Sequence, residues 1–584
     1  MIRELSELGK RLRLVNQDEK EIHNALKEEI ITIDLIIDNE GNYKDFILHD
    51  KIKTSSEALA AKKGRARLLV DKAEEVLFYG GEKSQKKHQL FLEKLNLYSD
   101  LIELKPVIKF YEINKTNGFD KALIDFEVKI TEKDRGGNIA FKVLDHNIRV
   151  HEEKNIINKI IENYENIEKV KLSKSLKKCS ICGKSDYPVE NAPHGMIKRV
   201  PSGQTSGCAL ISFNFNATES YNLSGNLNSS ICTNCAKTYV EGLNYLMTNG
   251  RIIINLETKG KKKEYFQFTN RKNFGSDTAM VFWTRDNAKL KEIDLFEEPN
   301  EDDICKLIDS ISNVKTGSIG NVNSDVFYSF TLSGAAARIF VRDWIESSLE
   351  DIRRNIKTWF EDILIMQYDS TQKKMVKYYS SLYKLAFCCQ NNKDKDKFVF
   401  SRTANLLWNS ALKENSLPIT ILNNVLKRVK LDGVTPERAT LIKLILNRNN
   451  TGGIKLMEKL DESNKSIAYI SGRIFAVLES IQYAALGKTN AGLRERFFSS
   501  ASTTPSTAFG RIIKMSQHHL SKLKGEKPGL AVIFDKELSQ LCSLITSFPT
   551  TFSLEEQGQF AIGFYHQKQT QFNKKELTNI LMEE

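Results

Sequence analysis

At 584 residues, 41% of them hydrophobic and 27% charged, the chain is too long for one core and has the composition of a soluble globular protein of two to four domains. The opening Met1 to Leu8 lacks the apolar stretch of a signal peptide, and no uninterrupted apolar run approaches a membrane span, so a cytoplasmic protein without membrane partners is expected. A net charge of +12 points to a polyanionic partner, most simply nucleic acid, and nine Cys in so long a chain suit a reducing compartment better than a disulfide framework.

Ile2, Leu5, Leu8 and Leu12 fall at helical spacing and predict an amphipathic N-terminal helix. Ile31 to Asp38 alternates as a strand, the following Asn and Gly supply a turn, and Tyr43 to Leu48 completes a hairpin. His49-Asp50 matches the metal-binding dipeptide of HD phosphohydrolases, but nothing nearby supports that chemistry, and a histidine at a strand end is expected. Ala58 to Arg67 is a small basic loop, and Leu68 to Leu77 is expected to be helical. Helices are predicted at 85–100 and 152–170, with strand-like segments such as Phe126 to Ile130 between them.

Two C-x-x-C pairs, Cys179/Cys182 and Cys232/Cys235, bracket the next region. Each pair can chelate from one turn, and four thiolates at about 2.3 Å complete a closed tetrahedral Zn(2+) site of structural type, with no position left for a reacting water. Gly183 suits the tight turn after the first pair. The separation of the pairs makes the metal a clamp at the base of a large excursion, a closure worth on the order of 4 kcal/mol in the chain-entropy model. His194 is an alternative ligand, although four Cys already fill the shell. Within the excursion, Cys208 to Asn214 is expected to be a buried strand, and Ala236 to Met247 a helix leaving the second pair.

Strands are predicted at Arg251 to Leu256 and Ala279 to Trp283, and Val326 to Leu332 should pair with Arg338 to Val341 about a turn at Ser333-Gly334. Ser347 and Glu350 form a capping box for a helix with Leu349, Ile352, Ile356, Phe360 and Ile363 on one face. Thereafter the pattern is helical: 379–388, 404–412, 418–429, 436–446, 467–486 and 505–523, the last with Thr504 as N-cap and Pro505 at the first helical position. The expected fold class is therefore α+β, a mixed α/β N-terminal region with an embedded four-cysteine zinc-binding insertion followed by an all-α C-terminal helical bundle. The expected domains are 1–165, a zinc-braced 166–250, a β-rich 251–345, and the bundle 346–584.

No catalytic constellation stands out: there is no phosphate loop, no dinucleotide fingerprint, no H-E-x-x-H, no G-x-S-x-G and no deaminase signature. His518-His519 lies beside lysines on a bundle helix and reads as solvated or phosphate-facing. Three stretches suit nucleic acid. The first is the loop from Lys198 and Arg199 through Gln204 to Ser206, with Asn214 beyond it. Its glycines permit close approach, its basic pair can hold phosphate, and Gln204 can read or wedge a base edge; an ordinary polar loop is the alternative. The second is Arg251 with Lys259, Lys261, Lys262 and Lys263, a pattern that is more often just a solvated turn. The third, from Lys488 to Lys527, carries Arg494, Arg496, Arg511 and Lys514 among eight cations against Glu495 and Glu526. Phe497 and Phe498 lie between them, expected in the core rather than as stacking platforms.

Several collinear stretches resemble the large subunit of the type I-C CRISPR interference complex, Cascade. They are Leu68 to Glu74; Gln204 to Asn214, continuing to Glu219-Ser-Tyr221; Val281 to Trp283; Leu332 to Arg338 with Val341, Arg342 and Trp344; Gly472 to Glu479 with Gln482 and Arg494; Ala501 to Pro505; and His518 to Leu523. The likeness covers about residues 65–525, and the Cys quartet is not a required part of it. It implies a subunit that is not an enzyme and that joins the crRNA-bound backbone subunits. Such a subunit recognises the protospacer-adjacent motif in duplex DNA, helps open the duplex and hold the displaced strand, and helps recruit the helicase–nuclease effector for antiviral defence. It also implies a small subunit translated internally, for which Met457, ahead of the 467 helix, is a plausible start. The competing expectations are a zinc-containing nucleic-acid-modifying enzyme, which lacks catalytic residues here, and a zinc-braced RNA-binding scaffold unrelated to CRISPR.

Overall fold

The computed structural model describes residues 1–15, 25–58, 66–113, 120–172, 177–186, 194–213, 216–223, 225–256, 262–286, 290–313, 325–390, 397–449, 455–487 and 489–583. It is a mixed α and β protein with sheets toward the N-terminus and a helical C-terminal region. The chain forms two compact units: Gly9–Asn191 with Phe215–Cys235, and Met1–Leu8 with Ala192–Asn214 and Ala236–Glu584.

In the first unit, β1 (Leu26–Ile37) lies antiparallel to β2 (Tyr43–Glu57) and parallel to β4 (Asn138–Val143), which in turn pairs with the short β3 (Val70–Asp71); a separate short ribbon pairs β5 (Lys177–Lys178) with β6 (Ser185–Asp186). A parallel pair needs a long crossover, and the helices Gln85–Asn96, Lys105–Ile113 and Asp120–Lys129 supply it. Alternate β1 residues Ile33, Leu35 and Ile37 are fully buried with Phe110, Phe126 and Phe141. Asp34, on the other face of β1, is buried too. Arg149 reaches it with Nε at 2.6 Å and Nη2 at 3.1 Å, and His49 Nε2 lies 2.8 Å from it. His49 therefore sits inside β2, hydrogen-bonded to the Asp34 that pairs with Arg149, and not at a strand end.

The second unit contains a four-stranded antiparallel sheet, β12 (Arg338–Ser348)–β11 (Val326–Ala335)–β10 (Thr278–Thr284)–β9 (Arg271–Phe274), and a separate two-stranded ribbon of β7 (Gly250–Leu256) and β8 (Lys262–Phe268). One face of the sheet joins the helices in a single core that runs in sequence from Phe274 to Tyr565. The change of composition near residue 345 thus separates two kinds of secondary structure but not two cores. One hairpin, β13 (Ile365–Asp369) with β14 (Lys374–Tyr378), interrupts the helical part. At its centre the helix Ile467–Leu486 is buried along most of its length, as its apolar run requires. The last helix, Leu554–Glu583, crosses it where glycines meet backbone: a Cβ at Gly472 would fall 2.0 Å from Phe560 O, and one at Gly563 2.1 Å from Tyr469 O.

Local expectations other than that for His49 also failed. Phe126 to Ile130 is not a strand. The helix Asp120–Lys129 leads into Ile130, and Ala122, Phe126 and Ile130 bury every fourth residue. Leu68 to Leu77 yields only a four-residue helix, Ala73–Val76, because Val70 and Asp71 are taken into the sheet by β4. Cys208 to Asn214 makes only isolated bridges at Cys208 and Ala209 among its described residues. The β11–β12 turn falls at Ala336-Ala337, beyond Ser333-Gly334. The N-cap of the helix Leu349–Ile363 is Ser348, whose Oγ accepts from Asp351 N at 3.1 Å, one residue later than the predicted capping box.

Candidate metal centre and nucleic-acid surfaces

The four cysteines of the two C-x-x-C pairs converge within the first unit, their Sγ atoms all within 4.8 Å of one another. A metal with 2.3 Å bonds to sulfur needs tetrahedral edges of about 3.8 Å, and Cys182 Sγ lies 4.0 Å from Cys232 Sγ. Turns hold the donors in place. Gly183, at φ +73°, donates its N–H to Cys179 O at 2.9 Å, and Ser180 N donates to Ser230 O at 2.7 Å, tying the two knuckles together. Burial opposes the thiolate at Cys179. The backbone N–H groups of Cys182, Cys232 and Ile181 outweigh it and bring that thiol down to about 7. Burial pushes Cys232 and Cys235 up instead, the latter further raised by the neighbouring thiols. Thiolates this close repel one another, so a bound cation is what would let all four ionise. The donor set and its spacing fit a metal ion. His194 takes no part: it pairs with Tyr239 OH at 2.8 Å, both in the second unit.

The loop from Ile197 to Cys208 belongs to the second unit and is closed by paired backbone bonds between those two residues at 2.8 and 2.9 Å. Its path is fixed by the β11–β12 turn. Gly334 N donates to Pro201 O (2.8 Å), Gln204 N to Ala336 O (3.0 Å), and Ala209 N to Ala337 O (2.7 Å). Gly203 and Gly334 meet directly, since a Cβ on Gly334 would lie 2.7 Å from Gly203 Cα. On the other flank Lys198 N donates to Asn244 Oδ1 at 2.8 Å, and the buried Arg271 donates to Arg199 O at 2.8 Å. Burial, then the charge of Arg199, lowers Arg271 to about 10, still fully cationic at neutral pH. Lys198, Arg199, Gln204 and Ser206 all remain exposed. The result is a loop with a fixed backbone and exposed polar tips. Asn214 lies outside the described residues.

Of the second stretch, Arg251 is exposed on β7, Lys262 and Lys263 open β8, and Lys259 and Lys261 lie outside the described residues. In the third, Arg494 and Arg496 are exposed on the helix Leu493–Thr503, and Arg511 and Lys514 on the helix Pro505–Glu526; Lys488 is not described. Part of this charge is spent internally, with Arg494 on Glu495 at 2.8 Å, Lys522 on Glu526 and Lys524 on Asp535, both at 3.7 Å. Asp535 comes from the next helix, so the charge is less one-sided than the 488–527 window alone indicates. Arg496, Arg511 and Lys514 have no ion pair among the described residues, and Arg511 rests over the Phe497 ring at 5.6 Å. Phe498 is core, enclosed by Phe475, Phe560 and Phe564.

A family model described as CRISPR-associated protein (Cas_Csd1) matches residues 7–572. The chain belongs to this CRISPR-associated family. No curated protein matches it. The Cas_Csd1 match takes in the Cys quartet, the 197–208 loop and the basic helices alike. No helix among the described residues is long and apolar enough to cross a membrane. Sequence reasoning missed the aromatic partners of the Cas_Csd1 loop: Arg199 lies 5.2 Å over the Phe266 ring, and Arg271 4.5 Å over Phe268. The alternation Tyr265-Phe266-Gln267-Phe268 across from Ile252 was the available signal.

Proposed function

We propose that this protein is the non-catalytic large subunit of a type I-C interference complex, and that its 197–208 loop senses the protospacer-adjacent motif in duplex DNA. The observation that carries the reading is the loop itself. Its backbone is pinned at Pro201, Gln204 and Ala209 by the β11–β12 turn, while the Gln204 side chain stands exposed. A donor–acceptor amide on a fixed backbone can read or wedge a base edge without losing loop entropy on binding, and Lys198 and Arg199 beside it can hold phosphate. The guide RNA would read the target by pairing and leave a short motif to the protein. Arg496, Arg511 and Lys514 supply a second surface for a strand of the opened duplex. The metal of the four-cysteine centre is zinc, a closed structural brace with no catalytic role. The crRNA-bound subunits and the helicase–nuclease are the partners, and a small chain starting at Met457 is a further product of the same gene.

The test is binding of the assembled, guide-loaded complex to duplexes that differ only in the bases flanking the target, at one salt concentration. Motif sensing predicts that most flanks bind weakly and that Gln204→Ala erases the difference. Equal binding to every flank by the wild-type complex rejects it.

A further inference from the structure

Among the described residues the β7–β8 ribbon pairs with no other strand, and one of its faces is built in an unusual way. Ile252 is directly opposite Phe266 and Gly250 opposite Phe268, so these four share a face. The Phe266 ring lies across Gly250: a Cβ there would come within 2.5 Å of its Cε1, and only glycine leaves that space. Phe266 meets Phe268 edge-on at 5.0 Å. The guanidinium groups of Arg199 and Arg271 cover the two rings in turn, the first exposed and the second buried. Arg199 reaches this position from a left-handed backbone (φ +56°) fixed by the Arg271 bond to its carbonyl. An ordered Arg–Phe–Phe–Arg ladder therefore ends at the surface, with Phe266 38% and Ile252 64% exposed beside it.

Exposed apolar area of this kind calls for an occupant, and the charge says which. Lys198 and Arg199 are exposed cations of the loop beside this face, and among the described residues Glu264 is the one carboxylate on that face of the ribbon; the exposed Arg251 pairs with Gln267 on the other face. A flat apolar group joined to an anion answers both demands, which is a nucleotide. A paired base hides its flat faces in the stack, so the ligand is unpaired. We propose that Arg199 and Phe266 form a stacking platform for single-stranded DNA, a base lying on the guanidinium or the ring edge and its phosphate on Lys198. This rests on the reading of the chain as one that opens a duplex, because opening supplies the unpaired strand beside the motif loop.

The experiment measures fluorescence anisotropy of the full-length chain with a labelled DNA strand of about 15 nucleotides and with an abasic strand of the same length. The wild type is expected to prefer the base-bearing strand. Phe266→Leu, which keeps apolar bulk but removes the ring, should weaken that strand about fivefold or more and the abasic strand by less than about twofold. Phe266→Tyr should restore binding. Arg199→Lys, which keeps the charge but not the plane, should behave as Phe266→Leu does. Equal wild-type affinity for the two strands overturns the proposal, as does a Phe266→Leu variant that is unimpaired or that weakens both strands alike. Flank discrimination on duplexes is scored separately. A chain that stacks bases but ignores flanks sinks motif sensing alone, and one that reads flanks but treats the two strands alike sinks the platform alone.

Discussion

Gly334 shows how much of the loop depends on a missing side chain. A Cβ there would lie 2.7 Å from Gly203 N and Cα and 2.9 Å from Pro201 O, all backbone atoms that cannot rotate away. Gly334→Ala should therefore cost about 1–3 kcal/mol as an overpacking substitution. It should also free the Gln204 amide, now bonded to Ala336 O, to exchange with solvent faster. Hydrogen exchange resolved at that peptide checks this; unchanged protection would mean that the loop is not held by the turn. The Cys quartet is testable at the same scale. On the proposed zinc reading, elemental analysis should count one zinc per wild-type chain, and Cys182→Ser, which leaves three thiols for a closed four-ligand site, should bring that toward zero. The first unit should become the more protease-sensitive one, because a metal bound there would tie Cys179–Cys182 to Cys232–Cys235 within it. Retention of full zinc by the variant would place the metal elsewhere.

Among the elements, those with strong internal periodicity were legible in the sequence, and those decided by a distant partner were not. The helix Ile467–Leu486 has the predicted bounds because its apolar run and its cap both lie inside the segment, with Ser466 Oγ accepting from Tyr469 N. The cysteines were legible for the same reason, since the ligand spacing is local. Phe126 to Ile130 misled because Phe, Val and Ile favour strands in isolation, yet here a helix buries Phe126 and Ile130 on one face. The seating of the 197–208 loop could not be read at all: the partners that pin Pro201, Gln204 and Ala209 lie more than a hundred residues downstream, in a turn whose position was itself displaced. The cap of the helix Leu349–Ile363 offers a test of one such one-residue error. Ser348 Oγ accepts from Asp351 N at 3.1 Å and donates to Asp351 Oδ2 at 2.7 Å. Ser348→Ala should therefore cost about 1 kcal/mol and Ser347→Ala within about 0.5 kcal/mol. Urea midpoints of the two variants decide it, and the reverse order would restore the capping box drawn from sequence.

For the molecule as a whole, acid is the condition that the interior is least able to absorb. Each unit encloses a histidine that is 2% exposed, His151 in the first and His566 in the second. Each ring makes one hydrogen bond, His151 Nε2 with Thr54 Oγ1 at 2.9 Å and His566 Nδ1 with Tyr469 OH at 2.9 Å. The other ring nitrogen of each has no partner among the described residues. Burial holds His151 at about 4, against the pull of Glu152, and His566 at about 3, with Lys443 adding to the effect. Both folded values lie below the unfolded value of about 6.5, so the unfolded chain takes up protons first. The stability that each neutral ring contributes is thus intact above pH 6.5 and is lost as pH falls from there toward 4 and 3. At pH 5 the loss amounts to about 2 kcal/mol per histidine relative to pH 7. The four tryptophans, Trp283, Trp344, Trp359 and Trp408, all lie in the second unit, so urea unfolding followed by their fluorescence reports on the unit that holds His566. Its stability should drop between pH 7 and pH 5, and His566→Gln, which cannot take up the proton, should lose most of that dependence whatever it costs at neutral pH. If the variant keeps the wild-type slope, the acid sensitivity belongs to the carboxylates of the unit, and His566 is not buried neutral.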